Sequence, residues 1–221
     1  MSKLTDSLKA AIGDGKRVRE GKRSRSTEAH RAEAATGVKC YVITVSDTRK
    51  GANDKSGAII RERLETAGHL VVGTRVVRDE VSAIAEAVET ALHSLGDVEL
   101  LCLTGGSGIR PRDVTPEAVR PLLSKELPGF GEMFRVLSWE EVGPATMLSR
   151  AFAGVIGRTL VFAMPGSTNA VKLAMDKLIV PELGHLVREV RPQRAAPVAA
   201  KAVPVAAKAA PVATKAAGKQ S

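Results

Sequence analysis

The sequence predicts an α/β domain with a mainly parallel sheet, and three observations carry that reading. Apolar β-branched runs alternate with segments whose apolar residues recur every three or four positions. Each such run ends in small, polar or acidic residues: Ser46-Asp47-Thr48-Arg49, Arg78-Asp79-Glu80, and Thr104-Gly105-Gly106-Ser107-Gly108. The third leads through Ile109-Arg110-Pro111-Arg112-Asp113-Val114 into Thr115-Pro116-Glu117, where Thr115 is expected to cap a helix. Strand, helix, strand, helix, strand implies right-handed crossovers. Ligands of open α/β sheets bind at the carboxyl ends of the strands.

Val38 to Val45 reads as the first strand. A helix capped by Ser56 follows to about Ala67, with Ile60, Leu64 and Ala67 on one face. His69 to Val77 is the second strand. Ser82 is expected to cap a helix built on Ile84, Val88, Leu92 and Leu95. Val98 to Leu103 is the third strand, apolar throughout as a buried parallel strand is. After the helix from Pro116, Pro128-Gly129-Phe130-Gly131 opens a second helical stretch through Trp139, and Ala145 to Arg150 reads as a short helix. Phe152–Ile156 and Thr159–Ala163 pair across Gly157-Arg158 as a small hairpin. Met164-Pro165-Gly166-Ser167-Thr168 then leads into a helix from about Asn169, with Val171, Met175, Leu178 and Ile179 as its apolar side.

Composition sets the bounds. The 221 residues are 44% hydrophobic but only 3% aromatic, so the core is aliphatic. The net charge of +9 belongs to the ends. Residues 1–36 carry nine basic and five acidic side chains, residues 190–221 six basic and none acidic, and the middle 18 basic and 19 acidic. A basic nucleic-acid docking face on the folded part is therefore not expected. Cys40 and Cys102 lie inside apolar runs and read as buried free thiols. The four histidines show no metal-ligand spacing. No stretch reaches signal-peptide or membrane-spanning character, so a cytoplasmic protein without membrane contact is expected.

The expected division is a disordered basic arm at 1–36, one domain at 37–193 and a disordered tail at 194–221. In the tail Pro197, Pro204 and Pro211 recur every seven residues, each followed by a lysine four positions on. A proline in every heptad argues against a coiled coil. A solvated spacer, or weak contact with nucleic acid or an acidic partner, both fit that composition.

The glycine run carries the chemistry. It lacks the Lys-Ser or Lys-Thr pair of a P-loop, and Pro111 stands where a dinucleotide fingerprint needs its third glycine. Gly-Gly-Ser-Gly alone also suits a plain tight turn, and Asp79 alone a strand-end turn. Two arginines and a carboxylate beside the glycines point instead to an anion site, with loop amides holding phosphate and Arg110 and Arg112 offsetting charge.

Thr104-Gly105-Gly106-Ser107-Gly108, Pro111-Arg112-Asp113-Val114-Thr115-Pro116-Glu117-Ala118, Pro128-Gly129-Phe130-Gly131-Glu132 and Met164-Pro165-Gly166-Ser167 together resemble the MoaB/MogA family of molybdenum-cofactor biosynthesis proteins. Met147-Leu148-Ser149-Arg150-Ala151 looks like the MoaB branch. The resemblance covers about residues 38–188 and neither tail.

It implies a three-layer α/β sandwich with a mostly parallel central sheet plus a small β-hairpin, assembled as a trimer or hexamer. It implies adenylylation of molybdopterin by ATP with Mg2+ and release of pyrophosphate, and a downstream molybdenum-insertion enzyme as partner. The residues matching the family's catalytic acids are Asp79 and Asp113, which would also hold the metal. Those matching its substrate contacts are Ser46, Asp47, Thr104, Gly105, Gly106, Ser107, Gly108, Arg112, Ser149, Pro165, Gly166 and Ser167. Ser107 replaces a more usual threonine and keeps the hydroxyl. Two rival readings are a non-catalytic molybdopterin-binding scaffold or carrier, and a nucleic-acid-associated protein whose core is a platform for basic arms.

Overall fold

A computed structural model describes residues 36–48, 53–94 and 97–191. The expected N-terminal arm, except Thr36, and the expected tail lie outside these residues. Six strands form one sheet: β1 (Lys39–Val45), β2 (Leu70–Val77), β3 (Leu100–Thr104), β4 (Lys125–Glu126), β5 (Phe152–Ile156) and β6 (Thr159–Met164). Their order is β2-β1-β3-β6-β5-β4. The first four are mutually parallel, and β5 runs antiparallel to both β6 and β4.

The helices are α1 (Lys55–Thr66), α2 (Val81–Ser94), α3 (Thr115–Val119), α4 (Pro128–Val142), α5 (Thr168–Ala174) and α6 (Val180–Val190), with a π-helical turn at Met175–Ile179 joining the last two. Alternate strand residues face opposite layers, as the two-residue period requires. Cys40, Val42, Leu100, Cys102, Leu160, Phe162 and Met164 pack against α1, α4 and the α5–α6 segment. Tyr41, Ile43, Val45, Leu101, Leu103, Val161 and Ala163 pack against α2 and α3. The result is a three-layer sandwich. With few aromatics, one contact stands out: the Phe130 and Phe162 rings meet edge-on, 4.9 Å between centroids.

Several local expectations change. The hairpin across Gly157 forms, yet its second strand is a central member of the parallel sheet rather than an appendage. Strand β4, two exposed residues, carries no periodic signal. Ala145 to Arg150 is not an α-helix; a 3-10 helix runs Gly143–Leu148.

Three expected caps are displaced. Asp54, not Ser56, caps α1 by accepting from the Gly57 N–H at 2.9 Å. Ser56 sits in the first turn and donates to the Gly166 carbonyl at 3.3 Å. Ser82 lies inside α2, which begins at Val81. Thr115 is the first residue of α3, and its hydroxyl donates to Gly105 O at 2.9 Å. In two of the three cases, Ser56 and Thr115, a tertiary acceptor takes the hydroxyl that a local cap would have used.

Candidate active site at the strand carboxyl ends

The carboxyl ends of β1, β2, β3 and β6 lie on one edge, and the loops that follow enclose a cavity of about 310 Å³. It is lined by Ser46, Asp47 and Thr48 after β1, Asp79 after β2, Gly105 to Gly108, Arg110, Arg112 and Asp113 after β3, and Pro165 and Gly166 after β6. The glycines are there because backbone must pass close to backbone. Gly105 has φ +101°, and a Cβ on it would collide with the Val45 carbonyl. Gly106 has φ +60°, and a Cβ there would stand 2.6 Å from an Asp79 carboxylate oxygen.

Hydrogen bonds fix the acids. Asp79 Oδ1 accepts from the Val114 N–H at 3.2 Å, and the Asp79 N–H donates to Asp47 Oδ1 at 3.1 Å. Asp113 Oδ2 accepts from the Arg110 N–H at 2.9 Å, closing a tight turn. Arg112 reaches Asp47 at 3.9 Å across an exposed gap, a loose ion pair. Burial pushes the Asp79 carboxyl above its ordinary range; the Asp113 and Asp47 charges push the same way, against the Val114 N–H and Arg112.

A second cavity of about 320 Å³ adjoins the first and shares Ser107, Gly108 and Pro165 with it. Its far walls are mostly apolar: Phe134 and Val142 of α4, Ala145 and Leu148 of the 3-10 helix, Ala170 and Leu173 of α5. Two buried hydroxyl oxygens on its lining, Ser107 Oγ and Thr146 Oγ1, have no hydrogen-bond partner. Buried polar groups without partners are rare, so this wall suits a ligand carrying polar edges.

Of the residues expected from sequence, twelve line the acidic cavity: Ser46, Asp47, Asp79, Gly105, Gly106, Ser107, Gly108, Arg110, Arg112, Asp113, Pro165 and Gly166. Ser149 and Ser167 line the apolar one instead. Thr104 lines neither; it is fully buried beneath them and donates to the Pro165 carbonyl at 3.2 Å. The Gly105 N–H, expected to hold phosphate, is committed to the Met164 carbonyl at 3.0 Å.

Sequence reasoning missed Thr48, which has an ordinary loop composition around it, and the apolar wall residues of α4 and α5. It also gave Arg150 no task. Arg150 Nε donates to Gly108 O at 2.7 Å across 42 residues of sequence, a separation that no local pattern encodes. Cys40 and Cys102 are buried free thiols, as expected. Among the described residues no helix is long and apolar enough to cross a membrane.

Comparison with known proteins bears on this geometry. A family described as "Probable molybdopterin binding domain" matches residues 41–185. Molybdenum cofactor biosynthesis protein B of Halalkalibacterium halodurans is 52% identical over 170 residues, covering 76% of this chain and 99% of the relative. The Bacillus subtilis protein of that name is 52% identical over 167 residues, covering 75% of this chain and 98% of its own. A crystal structure of a Molybdenum cofactor biosynthesis protein B aligns with TM-score 0.69 at 50% identity, covering 72% of this chain and 98% of that one. The tungsten cofactor synthesizing protein MoaB of Pyrococcus furiosus aligns with TM-score 0.60 at 42% identity, covering 72% and 99%. With the family matched across the whole site and relatives at half identity over nearly their full length, this chain belongs to the MoaB/MogA family of molybdenum-cofactor biosynthesis proteins.

Proposed function

We propose that this chain adenylylates molybdopterin. The terminal phosphate oxygen of molybdopterin attacks the α-phosphorus of ATP, a new P–O bond forms, the α–β P–O bond breaks, and pyrophosphate leaves. The observation that carries this reading is the convergence of Asp79 and Asp113 on the glycine-loop cavity beside an apolar one.

Asp79 and Asp113 repel a bare phosphate, and a cation between acids and phosphate would turn that repulsion into attraction beyond what Arg110 and Arg112 offset. Mg2+ fits the donor set: it takes one or two carboxylates and completes its shell with water and phosphate oxygens. Among the described residues no three acidic, histidine or cysteine side chains converge tightly enough to hold an ion by themselves. A site completed by substrate oxygens is what two carboxylates offer. When bound there, magnesium would neutralise charge developing on the phosphates. Asp79 and Asp113 would hold it, each already oriented by one backbone N–H.

The Gly106 and Gly108 amides meet no acceptor among the described residues, and on this reading they would steady a phosphate oxygen. Ser46, Asp47 and Arg112 complete that wall. The apolar cavity would take the flat pterin, with Ser107, Thr146, Ser149 and Ser167 meeting its polar edges. Holding both substrates across one shared loop is how a bimolecular step gains from orientation.

The domain at 37–193 carries the reaction on this reading, in the cytoplasm, and the product passes to a molybdenum-insertion enzyme. We further place the protein in a homotrimer or hexamer. Met133, Val136, Trp139 and Val142 of α4 and Met147 beyond it stand 49–74% exposed, an apolar face of the kind subunit interfaces cover. Light scattering of the full chain checks this, and a monomer at micromolar concentration would remove it.

The test of the reaction is incubation with ATP, magnesium and molybdopterin. Adenylyl-molybdopterin and pyrophosphate should appear one for one. Tight molybdopterin binding with no pyrophosphate would favour the scaffold reading instead.

A further inference from the structure

Arg150 follows the 3-10 helix and precedes β5, yet its side chain is spent on the glycine loop. Its backbone N–H donates to Ser107 O at 3.0 Å, Nε to Gly108 O at 2.7 Å and Nη2 to Asp113 O at 2.5 Å. Nη1 pairs with Glu117 in the first turn of α3, and that pairing holds the Glu117 carboxyl below its ordinary range. One residue thus ties down the start of the loop, its end and the helix it feeds. Arg150 does not line the acidic cavity; it lies behind the loop, facing a separate cleft with Pro116, Glu117, Arg120 and Arg135.

We propose that Arg150 is a positioning residue that holds the 107–113 loop in the conformation that presents Asp113 to the phosphates. The role calls for arginine. A guanidinium is a planar fork that serves three acceptors at once, whereas a lysine ammonium is a point donor on a flexible stem. Without the fork, the Gly108 and Asp113 carbonyls lose their side-chain donors, and the loop keeps the Arg110–Asp113 turn, the backbone bond from position 150 to Ser107 O and the Val114–Asp79 bond. Asp113 keeps its charge but loses its fixed place.

The catalytic part of this inference rests on the adenylyl-transfer reading, so the test has one arm that does not. In the full chain, R150A should exchange the hydrogen-bonded loop amides of Arg110, Asp113 and Val114 about tenfold faster or more, while those of β3 and α2 keep the parent rate. Pyrophosphate release should fall about 10- to 100-fold in kcat/KM for magnesium–ATP, the usual cost of losing a residue that orients a ligand. KM for molybdopterin should stay near the parent value. R150K should resemble R150A rather than the parent, because charge alone does not restore three bonds. Parent-like loop exchange in R150A, or full rescue by R150K, would overturn the proposal. Should R150A lack the parent's far-UV signal, R150K, which keeps the stem and the charge, decides through loop exchange. A parent protein that releases no pyrophosphate would sink the functional reading alone, since the exchange arm still judges Arg150.

Discussion

The two cavities that share Ser107 and Gly108 are nearly equal in size and opposite in chemistry. One, of about 310 Å³, presents Asp47, Asp79 and Asp113 with Arg110 and Arg112; the other, of about 320 Å³, presents Phe134, Val142, Leu148 and Leu173 with two orphaned hydroxyls. The first is made of strand-end loops, the second of helix sides. Loops at strand ends can carry charge into a site because their backbone turns there, while helix sides supply broad apolar walls. The same Ser107–Gly108 stretch thus borders a charged wall on one side and an apolar wall on the other.

The largest effect expected from breaking this division comes from the acidic side. Asp79→Asn should lower the rate of adenylyl transfer by about 100- to 1,000-fold, the scale of losing one positioned charge at a reacting phosphate. The Asp79→Asn, Asp113→Asn double variant should be scarcely worse than either single one if both acids serve one ion. Losses that multiply would assign the acids separate tasks.

Filling the apolar side should strike the other substrate. Ala170→Trp adds bulk to the cavity wall and should raise KM for molybdopterin about 10- to 100-fold, the equivalent of the strain that overpacking imposes. KM for ATP should hold. Steady-state kinetics with each substrate varied in turn checks both halves, and equal damage to both would mean the cavities are not divided as described.

Legibility in the sequence follows the same line. The acidic cavity could be read because its residues occupy strand ends, where the apolar runs stop and Asp79, Gly105 and Asp113 stand out against them. The parallel order of β1, β2 and β3 was legible for that reason. Thr104 lies beneath the cavities rather than in them; a strand's last residue and a loop's first look alike in sequence, while burial separates them. Thr115 was misread as a cap because its distant acceptor, Gly105 O, lies across a fold that the pattern does not encode. The apolar cavity was hidden for a stronger reason. Phe134, Val142 and Leu173 follow ordinary helical periodicity, so a residue facing a cavity cannot be told from one facing the core. Arg150 fell outside local reasoning altogether.

Smaller changes sharpen the comparison at the shared boundary. Ser107→Ala removes the orphaned hydroxyl and should weaken molybdopterin binding about three- to tenfold, one hydrogen bond's worth. The unliganded fold should be no less stable, because that hydroxyl has no protein partner. A large loss of stability would mean the hydroxyl is structural.

The smallest effect expected is thermal. Asp79 carries a carboxyl whose value in the fold is raised above the ordinary 3.8, first by burial and then by Asp113 and Asp47. Its stability contribution is present below that ordinary value and is lost as pH rises through the folded one, so at neutral pH the ionised form costs stability. Asp79→Asn should therefore melt about 2 °C higher than the parent at pH 7. The gap should close below pH 3.8, where both side chains are neutral. Added magnesium should narrow it from the other side by relieving the parent's repulsion. A variant that melts lower at pH 7 would mean the carboxylate is structural.

The central claim is that the acidic cavity receives phosphate only through a cation held by Asp113. The most direct measurement is pyrophosphate release from ATP, with molybdopterin present, by the parent and by Asp113→Asn at several magnesium concentrations. The side chain changes little in shape, so fold and pterin binding should persist while the carboxylate ligand is gone. The account predicts a magnesium-dependent parent and a variant slower by about 100- to 1,000-fold that added magnesium does not restore. A variant that turns over at the parent's rate would make Asp113 a loop residue and contradict the mechanism.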